Sequence, residues 1–253
     1  MSASGERLHG GEALFAVDLA RHEAAYVFAR GRGPARWSLD LGSGSGHGTA
    51  ALAAGGLRCV GLDRVAPDAD CRARGGHFVR GELERLPFAP ARFDRVVSFQ
   101  VIEHLADPGP YLAGLARLLA PGGEALLSTP NRLTSDGVNP YHAREYAAIE
   151  LAALLRAHFA QVEVLGVGAS EPVRRYLAAR ARRVRRLLRL DLLGLRERLP
   201  PAARHFAFAR LARLVRWLAQ RREGLPPVDW RDYPIGPPSD DCLDLLALCR
   251  GPV

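Results

Sequence analysis

The chain has 253 residues, 48% apolar and 25% charged, the profile of a globular protein with one sizeable core. Its longest apolar runs, such as Ala50 to Gly56 and Glu124 to Thr129, fall far short of the roughly 20 residues that a membrane-spanning helix needs. The opening, Met1 to His9, lacks the charged-then-apolar pattern of a secretory signal, so a cytoplasmic location is expected.

All 35 basic residues are arginine, for a net charge of +8. The charge is unevenly spread: residues 171–223 carry 16 arginines against four acids, a net +12 that leaves −4 for the rest. Cys59, Cys71, Cys242 and Cys249 form no CxxC pair, which argues against a zinc or disulfide framework and for reduced, partly buried thiols.

In chain order, Glu12 to Arg30 places Leu14, Phe15, Leu19, Tyr26 and Phe28 at helical spacing and ends at the Gly31-Arg32-Gly33-Pro34 breaker. Short apolar runs follow at Trp37–Leu41, Arg58–Leu62, His77–Val79, Phe93–Phe99 and Glu124–Ser128, alternating with helical stretches as a parallel sheet with crossover helices requires. Glu145–His158 reads as a helix, Gln161–Val167 as a sixth strand and Cys242–Cys249 as the last. The expected fold is α/β, a Rossmann-like, seven-stranded, mostly parallel sheet with helices on both faces. An N-terminal helix precedes it, and a basic helical insert comes before the last strand. Three parts are predicted: a lid over residues 1–35, a cofactor domain over 36–167 and 240–253, and an arginine-rich insert over 168–239.

Within that insert Val173, Leu177, Val184 and Leu188 recur at helical spacing, as do Phe206, Leu211, Leu214, Val215 and Leu218. Two amphipathic helices with arginine faces result, with Tyr176, Phe206, Phe208 and Trp217 read as core-facing. Leu225–Pro238 reads as a proline-rich loop or linker. A solvated lid over the acceptor is the default reading of the arginine faces. Peripheral contact with an anionic membrane or lipid-linked substrate at the inner membrane face is the second. Nucleic acid comes last, because few aromatics are available to stack on bases.

The chemistry centres on Asp40-Leu41-Gly42-Ser43-Gly44-Ser45-Gly46-His47, a strand running into a glycine turn that opens a helix. A dinucleotide fingerprint, GxGxxG, fails on spacing: counted from Gly42 its last position is His47, and from Gly44 it is Thr49. The acid-x-Gly-x-Gly-x-Gly run instead resembles the class I S-adenosylmethionine-dependent methyltransferases. Over about Arg21 to Leu165 it resembles most the branch of ubiquinone-biosynthesis O-methyltransferases and bacterial glycan-cluster methyltransferases.

The resemblance implies S-adenosylmethionine as cofactor, S-adenosylhomocysteine as product and a small-molecule acceptor. It assigns cofactor contacts to Asp40, Gly42, Gly44 and Gly46, and to Phe99 and Gln100 at the turn after the fourth strand. Asp63 ends the second strand, where an acid can accept from both ribose hydroxyls. Glu82 stands where the family has Asp, so adenine is met either by its side chain or by the Leu83 backbone alone. Tyr26, with Arg21 and His22, belongs to the branch's leader helix and is a further cofactor candidate. Asn131 and Arg132, at the end of the fifth strand, and Tyr141 and Arg144, in Asn139-Pro140-Tyr141-His142-Ala143-Arg144-Glu145-Tyr146, are candidates for the acceptor pocket.

If the acceptor is a hydroxyl its proton must leave, and an imidazole is the natural general base. His104 and His142 are the candidates, each with a structural alternative: a helix-start residue and a solvated loop residue. Glu103 is an alternative by analogy with quinone enzymes that use an acid and a metal at the corresponding turn, or a helix N-terminal acid; no metal is expected. O-methylation of a sugar or quinone-like hydroxyl is expected, ahead of N- or C-methylation of a natural product. A non-catalytic cofactor-binding protein and a membrane- or RNA-docking module are the readings outside enzymology.

Overall fold

The structure is a computed structural model that describes residues 13–135, 139–188, 210, 213–218, 220–221, 224 and 227–253. One sheet runs through these residues in the order β3-β2-β1-β4-β5-β8-β6-β7. Its parallel half is β1 (Ser38–Leu41), β2 (Cys59–Asp63), β3 (His77–Arg80), β4 (Phe93–Phe99) and β5 (Leu119–Pro130). The last strand, β8 (Asp244–Pro252), inserts antiparallel between β5 and β6 (Phe159–Val167). The sheet has eight strands where seven were expected. The addition is β7 (Ile235–Gly236), a two-residue strand on the edge of β6. It falls within the stretch read as a linker, Leu225–Pro238, which also holds a 3-10 turn at Trp230–Asp232.

Helices cover both faces, and the central strands are therefore apolar on both sides. Leu39, Val96, Leu127, Leu245 and Ala247 pack with Tyr111, Leu112 and Leu115 of α4 (Gly109–Leu118) and Leu151 and Leu155 of α5 (Ala148–Arg156). Their sequence neighbours Val97, Leu126 and Leu246 point the other way. There they meet Ala20 and Ala24 of α1 (Ala16–Arg30), Leu52 of α2 (His47–Ala54) and Val173 and Tyr176 of α6 (Glu171–Leu188). A short helix, α3 (Ala69–Ala73), completes the β2 to β3 crossover.

Register places charge deliberately at the far end of the sheet. Arg95 of β4 and Arg250 of β8 flank Glu124 of β5, and with Arg32 they donate to its carboxylate at 2.8–3.2 Å. All four cysteines are free and buried, as the absence of paired spacing suggested. Among the described residues no helix is long and apolar enough to cross a membrane.

The basic segment is described in part. α6 buries Val173, Tyr176 and Ala179 and exposes Arg174, Arg175, Arg182 and Arg186. Residues 213–218 are helical and bury Val215, but Trp217, expected in the core, is 45% exposed with the Arg221 guanidinium over its ring. Phe206, Phe208 and Leu211 lie outside the described residues.

Candidate cofactor and acceptor site

The carboxyl ends of β1, β2, β4 and β5 open into a cleft of about 1290 Å³, at the strand-order reversal where open α/β sheets bind ligands. The glycine turn forms its floor, and α1, α6 and residues 215–216 its roof.

The three glycines of the turn do different work. Each has positive φ, which glycine adopts without steric cost. A Cβ on Gly42 would lie 2.5 Å from Val101, and one on Gly46, the residue that starts α2, 2.8 Å from Phe78 and Pro67. Gly42 thus closes the chain against the core at Val101, and Gly46 against the half-buried Phe78 and Pro67. A Cβ on Gly44 would meet nothing within 4 Å: it would stand in the open cleft, where a ligand can approach the backbone. Gly42 and Gly44 line the cleft, whereas Gly46 does not and is packed against Phe78 and Pro67.

Asp40 is wholly buried behind the turn and does not line the cleft. Its carboxylate accepts from Thr49 Oγ1 at 2.7 Å and from the Tyr26 hydroxyl at 3.2 Å. Burial outweighs those bonds and pushes Asp40 up to about 6. Tyr26 lies so close over Gly48 that any side chain there would overlap its ring, and it meets Phe99 edge-on at 4.8 Å. Asp40 and Tyr26 thus brace α1 and α2 around the turn, and Tyr26 also faces the cleft.

Asp63 stands at the cleft edge as expected, but its two oxygens also accept backbone N–H groups from Gly44 and Val65, both at 2.9 Å. The acid that would receive ribose hydroxyls therefore also holds the glycine turn in shape. Each oxygen keeps a further lone pair for a ligand. Glu82 is at the exposed rim 3.9 Å from Arg64, and Leu83 lies beside it. Gln100 takes a left-handed φ of 55°, rare for a residue with a side chain. Its backbone N–H donates to Ser128 O at 2.9 Å and its amide to Ser128 Oγ at 3.3 Å, which anchors the β4 turn to β5.

The acceptor candidates divide. Tyr141, His142 and His104 line the cleft together with Asn139, Ser135 and Thr134. Asn131, Arg132 and Arg144 do not. Asn131 is buried and ties β5 to the β8 approach through Cys242 O at 2.9 Å. Arg132 points outward to Glu150, and Arg144 lies over the Tyr146 ring.

His104 has its Nδ1 3.0 Å from the Tyr141 carbonyl, which can only accept, so Nδ1 donates there and Nε2 is not committed to that bond. No bond from a described residue engages that Nε2. His142 is engaged at both nitrogens, with Glu145 Oε1 at 2.6 Å and Asn139 Nδ2 at 2.8 Å. Glu103 is fully buried. One oxygen accepts from Thr129 at 3.0 Å and the other, Oε1, has no partner among the described residues. Burial pushes this carboxyl up to about 8, against the hydrogen bonds it receives. Ligand atoms of Glu103, His104 and His142 lie within 4.8 Å of one another, a set able to ligate a cation or to pass a proton.

At the roof, Asp18 of α1 accepts from Arg180 of α6 and from Arg216, at 3.0–3.2 Å. Burial alone would raise this carboxyl, but the guanidiniums of Arg180, Arg216 and Arg21 overcome it and hold Asp18 far below the usual range. Burial and the neighbouring Arg21 charge depress His22 to about 4, so it lines the cleft as a neutral imidazole.

The Asp18 tie and the orphaned Glu103 oxygen escape a sequence reading, since one depends on residues far apart in the chain and the other on burial, whereas the Glu145 partner of His142 stood three residues away in the segment already singled out and was missed. Gly48 carried a signal: a fourth glycine, beyond the motif, in the first turn of a helix.

Comparison with known proteins agrees with this geometry. A methyltransferase domain family matches residues 39–127, the span from β1 to β5. A probable S-adenosylmethionine-dependent methyltransferase of Mycolicibacterium smegmatis is 41% identical over 173 residues, 65% of this chain and 67% of its own length. A ubiquinone biosynthesis O-methyltransferase of Cereibacter sphaeroides is 37% identical over 101 residues, 37% of this chain and 41% of its own. A solved SAM-dependent methyltransferase of Thermotoga maritima superposes with a TM-score of 0.58 at 16% identity, covering 94% of this chain and 93% of that one, which speaks to fold alone. The open glycine cradle, the acid at its edge and the extent of the mycobacterial match lead to one conclusion: the chain belongs to the S-adenosylmethionine-dependent methyltransferases.

Proposed function

We propose that the chain is an O-methyltransferase acting on a small-molecule hydroxyl of the sugar or quinone type, with His104 as general base. The observation that carries this is the geometry of His104, a cleft residue whose Nδ1 donates to the Tyr141 carbonyl, so that Nε2 is the nitrogen available to take a proton. A sulfonium cofactor supplies an electrophilic methyl group, so the residues of the chain need only orient the acceptor, exclude water and take its proton. Gly44, Asp63, Leu83, Phe99 and Gln100 would hold the cofactor, and Tyr141 with His142 would form the acceptor wall. Residues 36–167 and 240–253 then make the cofactor domain, while the described residues of 1–35 and 168–239 supply the cover of the acceptor end, with Leu19, Leu177 and Val215 in its roof. The partial match to a ubiquinone O-methyltransferase supports hydroxyl acceptors over amines. Exposed Arg182 and Arg186, with Leu214 and Trp217 at 47% and 45% exposure, support a lipid-borne acceptor met at an anionic membrane surface.

The test is release of S-adenosylhomocysteine against a panel of methyl glycosides, catechols and hydroquinones, with the O-methyl product identified by mass spectrometry. His104→Ala should lower turnover roughly 100-fold or more while cofactor affinity stays within twofold. Full turnover in His104→Ala, or methylation confined to amines, would refute the assignment.

A further inference from the structure

We infer that Glu145 is a positioning residue for His104, acting through a chain of hydrogen bonds across the 139–145 loop. The inference rests on the reading of His104 as the base. Glu145 Oε1 accepts from Ser135 Oγ at 2.8 Å and from His142 Nδ1 at 2.6 Å. His142 Nε2 then accepts from Asn139 Nδ2 at 2.8 Å, and Asn139 Oδ1 accepts the Tyr141 backbone N–H at 3.1 Å. The Tyr141 carbonyl in turn accepts from His104 Nδ1 at 3.0 Å.

The two ends fix the middle. A carboxylate can only accept, so His142 donates from Nδ1. The Tyr141 N–H can only donate, so Asn139 turns its amide oxygen there and its amide nitrogen to His142 Nε2, which accepts. The side chain of Asn139 thereby fixes the Tyr141 backbone and aims its carbonyl at His104. Glu145 and His142 side chains are only 10% and 14% exposed, so water competes poorly for these bonds. At the other end Glu103 O accepts the N–H groups of Ala143 and Arg144, at 2.7 and 3.1 Å, which clamps the loop to the turn that carries His104. The loop that walls the acceptor therefore also sets the tautomer of the base, and Glu145 acts on it through His142 rather than through a hydrogen bond of its own to His104.

The test reads His104 directly, by long-range proton–nitrogen NMR of the imidazoles in the full chain saturated with S-adenosylhomocysteine, assigned with His104→Ala. In the parent protein His104 should be a single tautomer protonated at Nδ1. In Glu145→Ala and in Asn139→Ala, which cut the chain at different links, it should shift to a mixture dominated by the Nε2-protonated form that free imidazole prefers. Glu145→Gln, which keeps an acceptor oxygen, should restore the parent pattern. S-adenosylhomocysteine affinity within twofold of the parent verifies that each variant is folded. Unchanged His104 signals in both alanine variants, or failure of Glu145→Gln to restore them, would overturn the inference. Loss of turnover in His104→Ala together with unmoved signals would leave the base intact and remove only Glu145. Full turnover in His104→Ala together with shifted signals would do the reverse.

Discussion

Asp40 is a carboxyl that the fold keeps from water, and its raised proton affinity sets a pH dependence with a definite sign. The folded form holds a proton up to about pH 6, whereas the ordinary aspartate value is 3.8. Its contribution to stability is therefore complete below about pH 4 and is lost as pH rises through 6. Between those limits the loss is on the order of 2–3 kcal/mol, at about 1.4 kcal/mol per unit. Thermal melts from pH 4 to 7 should show Asp40→Asn losing less stability over the interval than the parent, and parallel curves would contradict the buried, raised carboxyl. The motif that contains Asp40 was legible because three glycines at fixed spacing after a strand imply a backbone that must bend and be approached. What each residue contributes was not. Asp40 lies behind the cradle and Gly46 against Phe78, while Gly44 alone is open, a division that depends on residues far from the motif.

The strands of the parallel half were legible because each is a short apolar run bounded by glycine, proline or an acid, and β4 is found at the predicted residues Phe93–Phe99. β7 was not, since two residues carry no periodicity and pair only because β6 offers an edge. The arginine helix α6 was legible as amphipathic, but its seat was not: Arg180 looks like one more surface charge until Asp18, 162 positions away, is seen beneath it. Trp217 is outward because Val215 and Arg216, its neighbours on the same helical turn, take the inward face. Removing the charge of the buried Asp18 takes a shared carboxylate from two half-buried guanidiniums, so Asp18→Asn should destabilise the protein by about 3 kcal/mol in urea titration. It should also speed hydrogen exchange in α6 more than in β4. A change below about 0.5 kcal/mol would show that α6 is seated by its apolar face alone.

Taken as a whole, the molecule joins a sheet that reads plainly as a cofactor platform to a roof whose shape depends on long-range pairs. That asymmetry explains why the cofactor was evident from sequence and the acceptor was not. The platform is local, since strand, turn, helix and acid follow one another within about one crossover unit. The proposed acceptor side draws on α1, the 139–145 loop and α6, and sequence order does not say which of their polar residues turn inward. Asn131, Arg132 and Arg144 are polar residues in the right stretch that point elsewhere.

Calorimetric titration of the full chain with S-adenosylhomocysteine, with NAD as control and Gly44→Val in parallel, tests the central claim most directly. Binding at micromolar concentration to the parent, none of NAD, and a loss of at least tenfold in Gly44→Val, whose side chain would occupy the open floor of the cleft, are the predicted results. Absence of S-adenosylhomocysteine binding to the folded parent, or unchanged affinity in a folded Gly44→Val, would contradict the placement of the cofactor on this turn.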